Sequence, residues 1–232
     1  MATRVLFLIN GPGKESAALI GQRFEDSGLT VDYHWAFNDE FPDTVDRYGA
    51  VFLSGSPHGA YEDIDFIHRE HDVVRDVVER GLPTLGVCFG SQILASALCD
   101  RDQVFRRTTC DVGYKPLRRS DTAPGDAIAK DLRPRFPMFV WHNDDVRANH
   151  PDMVVLASSD DCPNQVWRYR DQPVWGIQGH PEFTPAYVEA LMLSRLDRIG
   201  RSAVEEARKT LGGKVHREII TRWIENFLKG AC

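Results

Sequence analysis

Residues Leu85–Gly90 read Leu-Gly-Val-Cys-Phe-Gly and join a predicted buried strand directly to a predicted helix. A tight strand-to-helix turn forces its central residue into a strained conformation, so small residues are needed two positions before and after it. Gly86 and Gly90 occupy those positions around Cys88. The pattern predicts a nucleophile elbow with cysteine in the place of serine, at the carboxyl end of a sheet, where open α/β folds bind ligands.

The first half of the chain alternates short apolar, β-branched runs with helical patterns. That alternation is typical of βαβ units around a parallel sheet. In chain order, the predicted elements are the strand Arg4–Ile9, the helix Ser16–Asp26, the strands Leu29–Tyr33 and Ala50–Leu53, the helix 66–80, the strand Thr84–Val87 and the helix Phe89–Leu98.

The second half predicts antiparallel strands and then helices. Shorter runs between Gln103 and Arg119 indicate an antiparallel extension, and the pattern from Pro185 onward is helical. We therefore expect one α/β domain, 1–232, with a helical C-terminal segment, 185–232. The remaining predicted strands are Met138–Trp141, Val154–Ala157, Val166–Tyr169 and Val174–Gln178, and the predicted helices are Ala186–Ile199, Ala203–Leu211 and Arg217–Leu228.

Composition excludes several classes of protein. The 232 residues include 28 Lys plus Arg against 34 Asp plus Glu, a net charge of −6 without a basic cluster, which argues against nucleic acid as a partner. The apolar run Val5–Ile9 is too short for a signal sequence or a membrane span, so we expect a cytoplasmic protein that does not bind membranes. Five cysteines without CxxC spacing indicate neither disulfides nor a zinc site.

The predicted position of Cys88 would favour ionisation of its thiol. The amino-terminal end of the following helix would favour a thiolate, and a nearby protonated histidine would favour it further. A buried structural cysteine between two packing glycines is equally compatible with this string alone.

A second motif, Gly179-His-Pro-Glu182, follows the predicted strand Val174–Gln178. A histidine with a carboxylate two residues later can supply a general base and the group that orients its ring. Taken alone, this motif is better explained by a loop histidine that caps the following helix, with Glu182 as an acid in the first turn.

Together the two motifs resemble the class I glutamine amidotransferase family, both its stand-alone members and the amidotransferase domain of GMP synthase. The family carries a GxCxGxQ string, which here ends at Gln92, and a downstream HPE. The resemblance covers nearly the whole chain and implies a flavodoxin-like open sheet, mostly parallel with antiparallel edge strands and helices on both faces.

The resemblance implies a role for each matching residue. Cys88 would be the nucleophile, His180 the base and Glu182 the orienting carboxylate. The backbone N–H groups of Gly55 and Phe89 would form the oxyanion hole. The residues implied to contact substrate are Gln92, His142, Asn143 and Asp144.

Two positions depart from the family pattern. The oxyanion loop is more often Ser-Gly-Gly-Pro, and Ser56 replaces its second glycine, which would restrict loop motion. The substrate-edge loop is usually His-Gly-Asp, and Asn143 replaces that glycine. Because asparagine tolerates the left-handed region better than most residues, we expect the backbone of that loop to be preserved.

The implied activity is hydrolysis of a γ-glutamyl amide through a thioester, with no metal or organic cofactor. The acyl donor is either glutamine or another γ-glutamyl compound. Three alternatives remain open at this point: a glutaminase subunit that delivers ammonia to a separate synthetase, a γ-glutamyl peptidase, and a non-catalytic regulatory protein on the same fold. His68 and His71 lack a visible third metal ligand and are interpreted as the solvated face of the helix 66–80.

Overall fold

The computed structural model describes residues 4–211 together with 222, 223, 225–227 and 229. The strands within these residues are β1 Arg4–Leu8, β2 Thr30–His34, β3 Ala50–Leu53, β4 Thr84–Val87, β5 Val104–Arg119, β6 Arg135–Val146, β7 Met153–Ser158, β8 Val166–Tyr169 and β9 Val174–Ile177. The helices are α1 Glu15–Asp26, α2 Asp65–Glu79, α3 Phe89–Leu98, α4 Pro185–Ser194, α5 Leu196–Ile199 and α6 Arg201–Thr210.

The described strands form one sheet in the order β2-β1-β3-β4-β9-β8-β7-β5-β6. The five strands from β2 to β9 pair in parallel, and the strands from β9 to β6 pair antiparallel. The predicted fold, an open α/β sheet with a parallel centre and antiparallel edge strands, is confirmed. The carboxyl ends of β1, β3, β4 and β9 meet at one edge of the sheet, where such folds place their ligand sites.

The core lies on both faces of the sheet. Successive strand residues point to opposite faces, so β1 sends Val5 and Phe7 to one side and Leu6 and Leu8 to the other. Apolar residues of α1 pack on the first side, and those of α2 and α3 pack on the second. Trp223 and Phe227 are buried on the first side.

Two predictions from sequence differ from the structure, and a third lies largely beyond the residues that the structure describes. The runs from Gln103 to Arg119 form the single long strand β5, whose pairing with β6 is irregular between Arg106 and Asp111. The predicted helix Ala186–Ile199 is divided into α4 and α5, because the backbone leaves helical geometry at Arg195, with φ −119°. Much of the predicted helix Arg217–Leu228 lies outside the described residues.

His71 is a further correction. It is buried rather than solvated, and its Nε2 lies 2.8 Å from Ser96 Oγ of α3. Burial lowers its pKa to about 4, so the ring is neutral near pH 7. His68 does lie on the solvated face, where its ring contacts Asp63. Within the described residues, no helix has the length and apolarity needed to cross a membrane.

Candidate active site

Cys88 occupies a strained turn between β4 and α3. Its φ of 56° and ψ of −109° lie in a region that non-glycine residues rarely adopt. A Cβ atom at Gly86 would lie 2.2 Å from the Gly90 carbonyl oxygen, and one at Gly90 would lie 2.2 Å from the Leu53 carbonyl oxygen. Both glycines are therefore required by close backbone approach, as the sequence predicts.

His180 lies beside this turn, just beyond the carboxyl end of β9. Its Nδ1 lies 2.8 Å from Glu182 Oε1, and both side chains are buried. The ring stacks on Phe183 with centroids 4.2 Å apart and planes within 5°. The backbone N–H of His180 donates a hydrogen bond to the Phe139 carbonyl at 2.7 Å. These contacts fix the ring position and leave Nε2 as the nitrogen available to another group.

The pKa of His180 depends on its neighbours Glu182 and Cys88. Burial by itself lowers the pKa of His180, but the charges of Glu182 and Cys88, with hydrogen bonds to both, raise it to about 10. His180 therefore holds its proton near pH 7 and places a positive charge beside Cys88. Histidine can then donate this proton to a leaving group.

The predicted oxyanion donors are close to the sulfur. Phe89 is the first residue of α3, so its N–H lies among the unpaired amides at a helix start. Gly55 follows β3, and a Cβ atom placed on it would lie 3.9 Å from Cys88 Sγ and 3.5 Å from His180 Cε1. Within the described part of the chain, neither N–H donates a hydrogen bond. Both are free to bind a developing negative charge.

The other residues implied to bind substrate line the same cavity, which has a volume of about 330 Å³. Gln92 is buried, and its Nε2 donates to the Asp144 carbonyl at 3.0 Å. The His142 side chain is buried too, with Nδ1 2.9 Å from Asp145 Oδ1. The predicted substrate-edge loop is therefore part of strand β6, which Gln92 and His142 hold in place through these contacts, and Asn143 is half-buried at the cavity surface.

Asn143 lies inside β6 with negative φ, so this position does not need the conformational freedom of the family glycine. Asp144 accepts a hydrogen bond from the Tyr61 hydroxyl at 2.9 Å and lies 3.5 Å from an Arg106 nitrogen. Burial raises the pKa of Asp144, and these two partners oppose that shift. Asp145, by contrast, pairs with Arg107.

No group of three or more His, Cys, Asp or Glu side chains that could hold a metal ion is found in the residues that the structure describes. The acidic side chains near the cavity pair with basic side chains instead: Asp144 with Arg106, Asp145 with Arg107 and Asp111 with Lys115. Asp111 lies 2.9 Å from Lys115 Nζ and 3.6 Å from His142 Nε2.

The cavity also contains residues that the sequence reasoning missed. Its wall includes Tyr187, Leu191 and Arg195 on one side, and Gly11–Gly13 and His58 elsewhere. Tyr187, Leu191 and Arg195 recur at intervals of four residues, a spacing that equally fits the face of a helix buried in a core. Spacing alone therefore could not indicate that they face a cavity.

Known proteins support a family assignment for this chain. A family model described as Glutamine amidotransferase class-I matches residues 12–196. The chain is similar to "GMP synthase [glutamine-hydrolyzing]" of Proteus mirabilis, with 26% identity over 200 residues, 83% of this chain and 37% of that protein. The chain thus spans about a third of the length of the curated relatives it matches.

Solved structures show the same fold. The crystal structure of a glutamine amidotransferase from Thermotoga maritima has a TM-score of 0.81 and 20% identity, covering 100% of this chain and 98% of that one. That of a glutamine amidotransferase from Methylobacillus flagellatus has a TM-score of 0.79 and 17% identity, with coverages of 99% and 95%. Because the family model matches most of the chain, residues 12–196, this chain belongs to the class I glutamine amidotransferase family.

Proposed function

We propose that the protein hydrolyses a γ-glutamyl amide through a thioester on Cys88 and does so without a partner protein. The observation that carries the proposal is the placement of Cys88 at a strained turn beside the buried pair of His180 and Glu182. This is the arrangement of nucleophile, base and orienting group that covalent acyl transfer requires.

The proposed reaction has two halves. The Cys88 thiolate attacks the γ-carbonyl carbon, and the carbonyl oxygen becomes negative against the N–H groups of Gly55 and Phe89. The imidazolium of His180 gives its proton to the amide nitrogen, which leaves as ammonia or an amine. His180 then takes a proton from water, and the hydroxide attacks the thioester. Glutamate leaves, and the Cys88 thiolate and the His180 imidazolium are restored.

The shape of the cavity favours an acyl donor larger than glutamine. From Cys88 the cavity extends to Tyr187 and Leu191 of α4 and to Arg195, which follows that helix and has an exposed side chain. An aromatic and aliphatic wall with a cation matches a leaving amine that carries its own carboxylate. We therefore infer that the substrate is a γ-glutamyl amide of an amino acid or a related amino-carboxylate.

This specificity gives a prediction for Arg195→Gln. We expect KM for γ-glutamylglycine to rise by about 3- to 10-fold, since an exposed charge contributes modestly. KM for the neutral γ-glutamyl ethylamide should change by less than about 2-fold, because that substrate has no charge to lose.

Arg201→Gln is the matched control for this prediction, because Arg201 is an exposed arginine at the start of α6 and lies outside the cavity wall. Equal effects of Arg195→Gln on the two substrates would rule out an ionic contact with the leaving amine.

Independence from a partner is supported by the loop that carries Gly55. The Ser56 hydroxyl accepts the N–H of His58 at 3.2 Å, and Glu62 accepts the N–H of Gly59 at 2.6 Å. The loop is thus held by its own hydrogen bonds. Among the residues described, the large apolar side chains that are exposed are Tyr33 and Leu193, which do not make an extensive docking surface.

The similarity to GMP synthase favours a second candidate function, a glutaminase subunit that supplies ammonia to a synthetase. The test is turnover by the purified chain of glutamine and of a panel of γ-glutamyl amides, each with and without a synthetase from the same cell. We expect partner-free turnover, with at least one γ-glutamyl amide preferred to glutamine. A chain that is inert toward the whole panel and becomes active when the synthetase is added would establish the subunit function instead.

A further inference from the structure

A fully buried carboxyl group lies behind the loop that carries Gly55. Glu70 of α2 and Asn10, which follows β1, are both 0% exposed, and Glu70 Oε1 accepts a hydrogen bond from Asn10 Nδ2 at 2.8 Å. The backbone N–H of Asn10 donates to Ser54 Oγ at 2.9 Å, and its Nδ2 lies 3.2 Å from the Ser54 carbonyl oxygen. Ser54 directly precedes Gly55, so the contacts connect Glu70 to the proposed oxyanion hole.

The hydrogen bonding around Glu70 is compatible with a protonated carboxyl group. Within the described residues, Glu70 Oε2 and Asn10 Oδ1 are buried acceptors that receive no hydrogen bond. An ionised carboxylate offers acceptors alone, whereas a protonated carboxyl also supplies an O–H donor. Burial raises the pKa of Glu70 to about 8, and the hydrogen bond from Asn10 opposes this shift. The carboxyl is therefore mainly neutral at pH 7.

The groups that face Glu70 do not offer it a compensating charge. The segment after β1 presents Asn10 and the segment after β3 presents Ser54, neither of which titrates. On α2 itself, the neighbouring His71 bonds to Ser96 of α3, and burial keeps that ring neutral. Among the residues that the structure describes, a negative charge formed on Glu70 would have the Asn10 amide as its hydrogen-bond donor and no cation paired with it. Such a charge must distort the surrounding contacts or admit water.

Given the acyl transfer proposed above, we propose that neutral Glu70 is a positioning residue that acts through Asn10 and Ser54 to hold the Gly55 N–H at the oxyanion, and that its ionisation at alkaline pH misplaces this donor. The reaction would then lose transition-state stabilisation as the pH rises, while Cys88 itself remained reactive.

Two thiol reagents separate these effects. A chloromethyl ketone analogue of glutamine forms an oxyanion when the thiolate attacks its carbonyl, and chloride then leaves. Iodoacetamide alkylates the same thiolate by direct displacement of iodide and forms no oxyanion. The ratio of the two rates at Cys88 therefore cancels the thiolate fraction and reports the oxyanion site.

The ratio should be measured by peptide mapping from about pH 6.5 to 9.5, a range that brackets the titration of Glu70. In the natural protein we expect it to fall by about 10-fold across the titration, since a single oxyanion donor contributes at least that much. In Glu70→Gln, which stays neutral and keeps a donor and an acceptor, the ratio should be independent of pH. Glu79→Gln, an exposed position on the same helix, should behave as the natural protein does.

A ratio that falls equally in Glu70→Gln and the natural protein would overturn the positioning role. If that variant does not fold, Ser54→Ala provides the test, because it removes the acceptor of the Asn10 N–H. We expect a ratio lowered by about 10-fold at pH 7 with the iodoacetamide rate unchanged, and an unchanged ratio would overturn the role. Failure of Cys88 to react with either reagent would instead contradict the proposed function, and the role of Glu70 with it.

Discussion

Cys88→Ala is expected to lower the rate of γ-glutamyl amide hydrolysis by about 10⁴-fold or more, because the covalent route requires the sulfur. The remaining rate would come from binding and the two oxyanion donors, which do not depend on this side chain. The measurement is kcat/KM for the best γ-glutamyl substrate of the purified chain. Alanine fits the space, so the fold should be retained.

Cys99→Ala is the matched control for this loss. Cys99 is a half-buried cysteine at the end of α3, and burial raises the pKa of its thiol to about 12, so it is not a competent nucleophile near pH 7. We expect the control to retain the natural rate. A folded Cys88→Ala protein, with an unchanged circular dichroism spectrum and near-natural turnover, would show that Cys88 is not the nucleophile.

The second large effect is expected for Glu182→Gln. The carboxylate lies 2.8 Å from His180 Nδ1, and its loss should lower the rate by up to about 10⁴-fold if it fixes the imidazole tautomer. The charge of Glu182 also helps to raise the pKa of His180 to about 10, so the variant should lose activity at a lower pH on the alkaline side. A pH-rate profile measures both effects.

Glu189→Gln is the control for that variant, since Glu189 is a solvent-accessible carboxylate of α4 that pairs with Arg208 at 2.7 Å. It should leave both the rate and the alkaline limb unchanged. Kinetics of Glu182→Gln equal to those of this control would mean that Glu182 merely begins the segment after His180.

The features that the sequence could predict are those set by local spacing. Gly86 and Gly90 flank Cys88 within one strand-to-helix turn, and His180 precedes Glu182 by two residues, so each motif can be recognised without the tertiary structure. The parallel half of the sheet follows in the same way from alternating apolar runs.

The remaining parts of the site depend on contacts between distant residues. Asn10 and Glu70 are 60 residues apart, and Tyr61 reaches Asp144 across 83 residues. Residue spacing carries no information about such pairs, and a glutamate on a helix is usually solvated. The sequence predicts a solvated His71, whereas the residue is buried. His71 lies at the boundary between the two faces of α2, where periodicity does not decide burial.

A hydrophobic pattern likewise does not show where a helix or a strand is interrupted. The helical pattern of the sequence continues through Arg195, although the backbone leaves helical geometry there, so the sequence does not predict the division between α4 and α5. In the same way, β5 keeps its pairing with β6 on both sides of an irregularity near Arg106, whereas its sequence reads as several short runs.

The central claim is that Cys88 is a uniquely activated thiol, and brief treatment with a substoichiometric glutamine-analogue electrophile, followed by peptide mapping, tests it most directly. Burial raises the thiol pKa values of Cys99 and Cys162, whereas Cys88 lies beside a histidine that holds its proton. We predict that Cys88 is modified ahead of the other four cysteines, Cys99, Cys110, Cys162 and Cys232. Preferential modification of any of those four would contradict the account.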